Sequence, residues 1–330
     1  MCTQRFKKFF ILQLILIFAA SLPVFNVKGN VPTSMTAQDP TKKQEQDQDA
    51  PLRLSSRLVQ VPISVSDATG KPVKDLKADD IVIEEDGKEQ RVVALGEPGK
   101  TPIDIALLFD VSGSTHGQFA LQKQAAVQFI QDVFKPGDAV SLFEIGTTPK
   151  LFKTRNSNSR EIITGIMTME PIKAATAFYD AVVDAALYLD KNADTGSRRV
   201  LVVISDGEEN YSAKNNMTDT LREIQKNDCL FYSINPSGES VRLNEVSRKG
   251  QDLMESLASQ TGGKAFNLTR TQSLQAVFSQ IAEELQAQYL FGYYTSDERN
   301  DGSFRRITVR APNRPDLRIR ARQGYYVPKG

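Results

Sequence analysis

Histidine, tryptophan and cysteine are almost missing from this 330-residue chain: it has one His, no Trp and two Cys. With His116 alone, neither a His-rich zinc site nor a His-Glu-x-x-His protease helix can be built. Cys2 lies inside an N-terminal targeting segment and Cys229 opens an apolar run, so no disulfide framework is expected in the mature protein, and Cys229 reads as a small buried hydrophobe. No Gly-x-Gly-x-x-Gly or P-loop pattern occurs, which removes the usual nucleotide sites. A net charge of +1 gives no overall pull toward nucleic acid, and no nucleic-acid partner is expected.

What is present is the composition of a globular protein, 40% hydrophobic and 25% charged. Arg5, Lys7 and Lys8 precede an apolar stretch from Phe9 to Phe25, and Val27-Lys28-Gly29 offers small residues to a peptidase. Residues 1–29 therefore read as a secretory signal, with an uncleaved membrane anchor as the alternative, because the stretch approaches the length of a spanning helix. Either way the rest of the chain is expected to be exported to the periplasm, the cell surface or the medium. Residues 30–51, rich in Gln, Asp, Lys and Thr, read as a flexible linker.

From Leu58, Val59, Val61, Ile63 and Val65 alternate with polar residues, the period of a strand with one buried face. Pro62 points to an edge strand or a bulge. Ile81–Ile83, the Asp86-Gly87 turn and Val92–Leu95 suggest a hairpin. Between about residues 98 and 288, short apolar runs alternate with amphipathic helical stretches, which argues for a mostly parallel sheet covered on both faces. After Gln288, three further strands are expected, around Tyr289–Tyr294, Phe304–Val309 and Leu317–Arg322. Neither β flank is long enough to bury a good core alone. The expected fold is α/β: a Rossmann-like domain at 98–288 with a mostly parallel central sheet flanked by helices, inserted in a β-sandwich built from residues 52–97 and 289–330.

The chemistry concentrates at strand ends. Ile103–Phe109 closes on Asp110-Val111-Ser112-Gly113-Ser114, and Val200–Ser205 closes on Asp206-Gly207; Thr176 lies just before a helical stretch. Ligands in open α/β sheets collect at the carboxyl ends of strands. Oxygens at alternating positions can converge on a hard cation such as Mg²⁺, which prefers oxygen ligands. Read separately, Ser114 or Thr115 could cap a helix, Thr176 could do the same, and Asp206-Gly207 could be a turn. Together, Asp110-x-Ser112-x-Ser114, Thr176 and Asp206-Gly207 resemble the metal-ion-dependent adhesion site of the von Willebrand factor type A domain family, with all five positions filled. The resemblance implies Mg²⁺ (or Mn²⁺), with Ser112, Ser114 and Thr176 as direct ligands and Asp110 and Asp206 acting directly or through water. It also implies a protein partner whose Asp or Glu completes the coordination sphere. Asp75 to Gln90, together with Gln323-Gly324-Tyr325-Tyr326, resembles a group of exported acidobacterial proteins related to that family.

Two enzymatic readings compete. A phosphatase-like metal-dependent hydrolase would use Asp110 as nucleophile, but Ser112 stands where the second acid should donate a proton, a step worth roughly 10²–10⁴-fold. A serine hydrolase would need Ser114 with His116, yet no Gly-x-Ser-x-Gly elbow exists. The expectation is a non-catalytic interaction and adhesion module; a structural envelope protein with a vestigial site is the remaining alternative. Arg305, Arg306, Arg310, Arg314, Arg318, Arg320 and Arg322 form a basic C-terminal segment, read as a solvated strand face or, alternatively, a contact for an anionic envelope polymer or lipid.

Overall fold

A computed structural model describes residues 57–112, 116–172, 175–237, 245–269 and 273–329. The signal segment, the linker and Ser114 lie outside the described residues. The N-terminal flank forms β1 (Leu58–Ser66), β2 (Val82–Glu85), β3 (Lys88–Gln90) and β4 (Val92–Gly96). The middle of the chain follows as β5 (Ile103–Asp110), α1 (Phe119–Val133), β6 (Ala139–Ile145), β7 (Lys150–Asn156), α2 (Ser159–Thr168), α3 (Phe178–Asn192), β8 (Arg198–Ile204), α4 (Met217–Lys226), β9 (Cys229–Asn235), α5 (Glu245–Thr261), β10 (Ala265–Asn267) and α6 (Leu274–Ala287). The C-terminal flank adds β11 (Tyr289–Tyr294), β12 (Phe304–Arg310), β13 (Arg318–Ala321) and β14 (Gly324–Tyr326).

The middle segment builds one six-stranded sheet in the order β10-β9-β8-β5-β6-β7, parallel except where β7 runs antiparallel to β6. All eight residues of β5 are buried, as a strand covered on both faces requires. Ile105, Leu107 and Phe109 face α1 and α6, while Ala106 and Leu108 face α3 and α5. From β5 the chain proceeds outward to β6 and β7, then returns to lay β8, β9 and β10 on the opposite side. The strand order therefore reverses between β5 and β8, and the carboxyl ends of those two strands are where such a sheet opens a crevice.

The flanks form two four-stranded sheets, β13-β1-β11-β4 and β14-β12-β2-β3, which enclose one core of Val59, Val61, Ile63, Ile83, Phe291, Tyr293, Ile307 and Tyr325 among others. Two details depart from the sequence reading. Asp86-Gly87 joins β2 to Lys88–Gln90, and Val92–Gly96 crosses to the other sheet to pair with β11. A two-residue turn pairs its immediate neighbours, here Glu85 with Lys88, and so leaves the later apolar run free. Nor is β1 an edge strand: it lies between β13 and β11. The β13 ladder begins only at Ile63, so Pro62, which lacks an N–H, sits where that side of β1 is unpaired.

A chain of polar contacts joins the two parts. The Glu284 carboxylate on α6 accepts hydrogen bonds from Tyr232, from Arg320 of β13 and from Ser64 of β1, the last at 3.1 Å. Ser64 in turn accepts from Gln288, which accepts from the buried Arg198 at the start of β8. The basic C-terminal segment is largely neutralised within the chain. Arg305 pairs with Asp297, Arg310 with Glu84, Arg314 with Asp75 and Asp316, Arg320 with Glu284 and Arg322 with Asp228. Arg306 and Arg318 are exposed.

Candidate metal centre

Asp110 is the last residue of β5 and is fully buried. Its Oδ1 accepts the Ser112 backbone N–H at 3.0 Å and its Oδ2 the Ser205 hydroxyl at 2.7 Å. The Ser205 hydroxyl also accepts the Gly207 N–H at 3.0 Å, so one side chain at the end of β8 orients both strand-end loops. Burial pushes the Asp110 carboxyl above its ordinary value; hydrogen bonds from Ser112 and Ser205 oppose this, and the nearby charge of Asp206 adds to it. Asp206 is buried, and its Oδ1 accepts the Glu208 N–H at 3.1 Å.

Thr176 is brought to the same end of the sheet by three backbone ties. Its N–H donates to Asn210 Oδ1 at 3.0 Å, its carbonyl accepts from Asn210 and Tyr211, and the next N–H, of Ala177, donates to Gly146 O at 2.9 Å. The capping alternative for Thr176 does not hold: α3 begins at Phe178, its N-cap position is Ala177, and no side chain caps it. Val111 is fixed on both sides, donating to Ile145 O at 3.1 Å and accepting from Ile172 N at 2.8 Å. Asp110, Ser112, Thr176 and Asp206 thus all lie at the carboxyl end of the central sheet, and all are buried.

Sequence reasoning missed the residues that hold this arrangement. Glu209 accepts the N–H groups of Tyr179, Tyr211 and Ser212 and the Ser212 hydroxyl. Asp180 accepts from the backbone of Ala213, Lys214 and Asn215 and from the Asn215 amide. Ser205 carried a signal, a hydroxyl closing an otherwise apolar run; Glu209 and Asp180 look like ordinary loop and helix acids. Among the described residues no three His, Cys, Asp or Glu side chains form a metal-ligating group. The sequence-predicted oxygens among the described residues are the carboxylates of Asp110 and Asp206 and the hydroxyls of Ser112 and Thr176. This set of oxygens, with two buried carboxylates among them, is of the kind that a hard divalent cation prefers.

A family model described as the von Willebrand factor type A domain matches residues 105–209, a span that contains Asp110, Thr176 and Asp206. The segment from Ile105 to Glu209 is thus similar to a von Willebrand factor type A domain. A search of curated proteins gave no match. Among solved structures, the chain is similar to the conserved hypothetical protein BatB from Bacteroides thetaiotaomicron at 15% identity and a TM-score of 0.44, over 56% of this chain and 98% of that one. It is also similar to the PilB minor pilin from Streptococcus sanguinis at 15% identity and a TM-score of 0.43, over 57% and 62%. Similarity to the pilus adhesin SpaC from Lactobacillus rhamnosus GG is 11% identity and a TM-score of 0.45, over 63% and 34%.

Proposed function

We propose that the chain is an exported, non-catalytic protein-interaction module. Its type A domain holds Mg²⁺ or Mn²⁺ at Asp110, Ser112, Ser114, Thr176 and Asp206 and captures an Asp or Glu side chain of a partner protein. The observation that supports this reading is the buried Asp110 carboxylate, held by the Ser205 hydroxyl and the Ser112 N–H at the point where strand order reverses. Two aspartates balance a divalent ion, and neutral hydroxyls leave it attractive to an outside carboxylate. When bound, the cation supplies a Lewis-acidic position open to that carboxylate. The protein's own part is orientation: Ser205 and the Ser112 N–H hold Asp110, and Asn210 holds the Thr176 backbone, the outer-shell support on which metal affinity depends. Among the described residues no helix is long and apolar enough to cross a membrane. The exported location rests on the N-terminal signal pattern.

The test is the melting temperature with Mg²⁺, Mn²⁺ or EDTA, beside an Asp110→Ala variant. Metal at 100 times its dissociation constant is expected to stabilise the wild type by about 2.7 kcal/mol and the variant not at all. Equal melting in all conditions would count against a metal-loaded site in the free protein. Turnover of a generic phosphoester, lost in Asp110→Asn, would move the hydrolase reading ahead.

A further inference from the structure

Strand alternation gives β1 a polar face behind the sandwich core. Val59, Val61, Ile63 and Val65 enter that core, so Ser64 and Ser66 turn the other way. The antiparallel register sets Arg320 opposite Ser64 and Arg318 opposite Ser66. Facing them, Gln280, Glu283, Glu284 and Ala287 recur at the spacing of one side of α6. The two faces do not close on each other. Between them lies a cavity of about 360 Å³, which Lys264 and Pro72 also line. Lys264 precedes β10 and residues 280–287 form the second half of α6, so the cavity and the candidate centre lie at opposite ends of the central sheet.

Five charged side chains line this cavity, three cations and two acids, which leaves one positive charge in excess. Glu284 is engaged by Arg320, Tyr232 and Ser64. Glu283 is exposed. Among the described residues, no carboxylate lies within ion-pair distance of Lys264 or Arg318. Lys264 is half-buried, with its Nζ 4.6 Å from the centroid of the Phe266 ring. Burial, then the charge of Arg320, hold its ammonium below the ordinary value, and Glu284 opposes them. An anion beside Lys264 would offset both causes. The Ser66 hydroxyl and the Gln280 amide make no hydrogen bond among the described residues, so both have capacity to spare.

We infer that this cavity is a second binding site, for a small hydroxylated monocarboxylate of the size of one sugar acid. The carboxylate meets Lys264 and Arg318, and the hydroxyls meet Ser66 and Gln280. One negative charge matches the one positive charge in excess, whereas a dianion such as phosphate would leave its second charge against Glu283. An alkyl acid would cover Ser66 and Gln280 without pairing them, which costs binding energy. The volume falls within the range of roughly 300–1,000 Å³ typical of small-molecule sites, and such sites favour the seam between two parts of a fold. The ligand bridges the central-sheet domain, through Lys264 and α6, and the sandwich, through β1 and β13.

The experiment is ligand-observed NMR titration of the full-length protein in metal-free buffer, so that no cation at the candidate centre can draw a carboxylate there. The probes are galacturonate and glucuronate, with galactose and glucose as sugars lacking the acid and acetate as an acid lacking the hydroxyls. At least one sugar acid is expected to bind saturably, and the neutral sugars and acetate roughly tenfold more weakly or not at all. Lys264→Met, which keeps an apolar stem over Phe266, should weaken the sugar acid roughly tenfold. Arg318→Gln, at an exposed position that the fold does not depend on, should weaken it as well and carries the comparison if Lys264→Met fails to fold. Failure of both sugar acids to saturate, equal binding by a neutral sugar or by acetate, or affinity within about twofold of the wild type in the folded variants would overturn the inference.

Discussion

Gly207 carries two constraints at once. Its φ of +77° lies where only glycine is at ease, and a Cβ there would stand 2.5 Å from the Gly250 carbonyl oxygen on α5. From the other side, a Cβ on Gly250 would stand 2.7 Å from the Asp206 carbonyl oxygen. The loop that presents Asp206 is thus pressed backbone to backbone against α5. Gly196 separates the two effects: its φ is +85°, yet nothing lies within 4 Å of its Cβ position. Gly196→Ala is expected to cost about 1 kcal/mol, the price of the left-handed backbone alone, and Gly207→Ala clearly more, about 2–4 kcal/mol. Thermal melts of the two variants measure the difference, and equal losses would mean that the α5 contact yields easily. In the sequence, Asp206-Gly207 was legible as a strand-end site because the apolar run before it is unmistakable. Gly250 was not, since a glycine inside an otherwise helical pattern carries no mark of what it packs against.

At the scale of elements, the loop from Gly207 to Asn216 is held to the start of α3 by side-chain acids. Burial alone would raise the Asp180 carboxyl, but the N–H groups of Ala213, Lys214 and Asn215 and the Asn215 amide outweigh it and hold the group below the ordinary carboxylate range. The sign follows from linkage. A carboxylate more acidic in the folded than in the unfolded protein adds stability above its unfolded value, near pH 4, and loses it as pH falls through the depressed folded value. Asp180→Asn places an amide against backbone donors and is expected to cost about 1–3 kcal/mol at neutral pH. Melts of both proteins from about pH 6 down to about pH 2.5 should show the gap narrowing in the acid range. A constant gap would mean that the carboxylate charge is not what these N–H groups stabilise. Such clamps are hard to read in a sequence because Asp180 meets Ala213 and Asn215, and Glu209 meets Tyr179, across about 30 residues, and a spacing of that kind has no period. The helices themselves were legible, since α1, α3 and α6 each bury one continuous apolar face.

At the scale of the whole molecule, the pairing of the flanks was foreseeable because two short β segments need a shared core. Its detail was not: Val92–Gly96 reads as the same short apolar run whether it closes a hairpin or crosses to the second sheet, and only the two-residue turn at Asp86-Gly87 decides. The result is interleaving. On the N-terminal flank, β1 lies between β13 and β11, β4 pairs with β11, and β2 pairs with β12, so only β3 has no partner from the other end of the chain. A chain ending after Gln288 would keep the six-stranded sheet but lose the strands that cover Val59, Val61, Ile63 and Ile83. Exposing those side chains removes roughly 1.5–3 kcal/mol of burial apiece, more than a two-stranded remnant can replace. Limited trypsin digestion of that truncated chain is expected to cut within residues 57–97, at Lys74, Lys77, Lys88 or Arg91, while the strands of the six-stranded sheet resist, and the full chain is expected to resist at both. Protection of residues 57–97 in the truncated chain would mean that the N-terminal flank folds without its partner strands. The two ends of the chain would then be separate modules, and the polar path from Arg198 through Gln288 and Ser64 to Glu284 and Arg320 would join independent parts rather than close a single sandwich around the domain that bears the candidate centre.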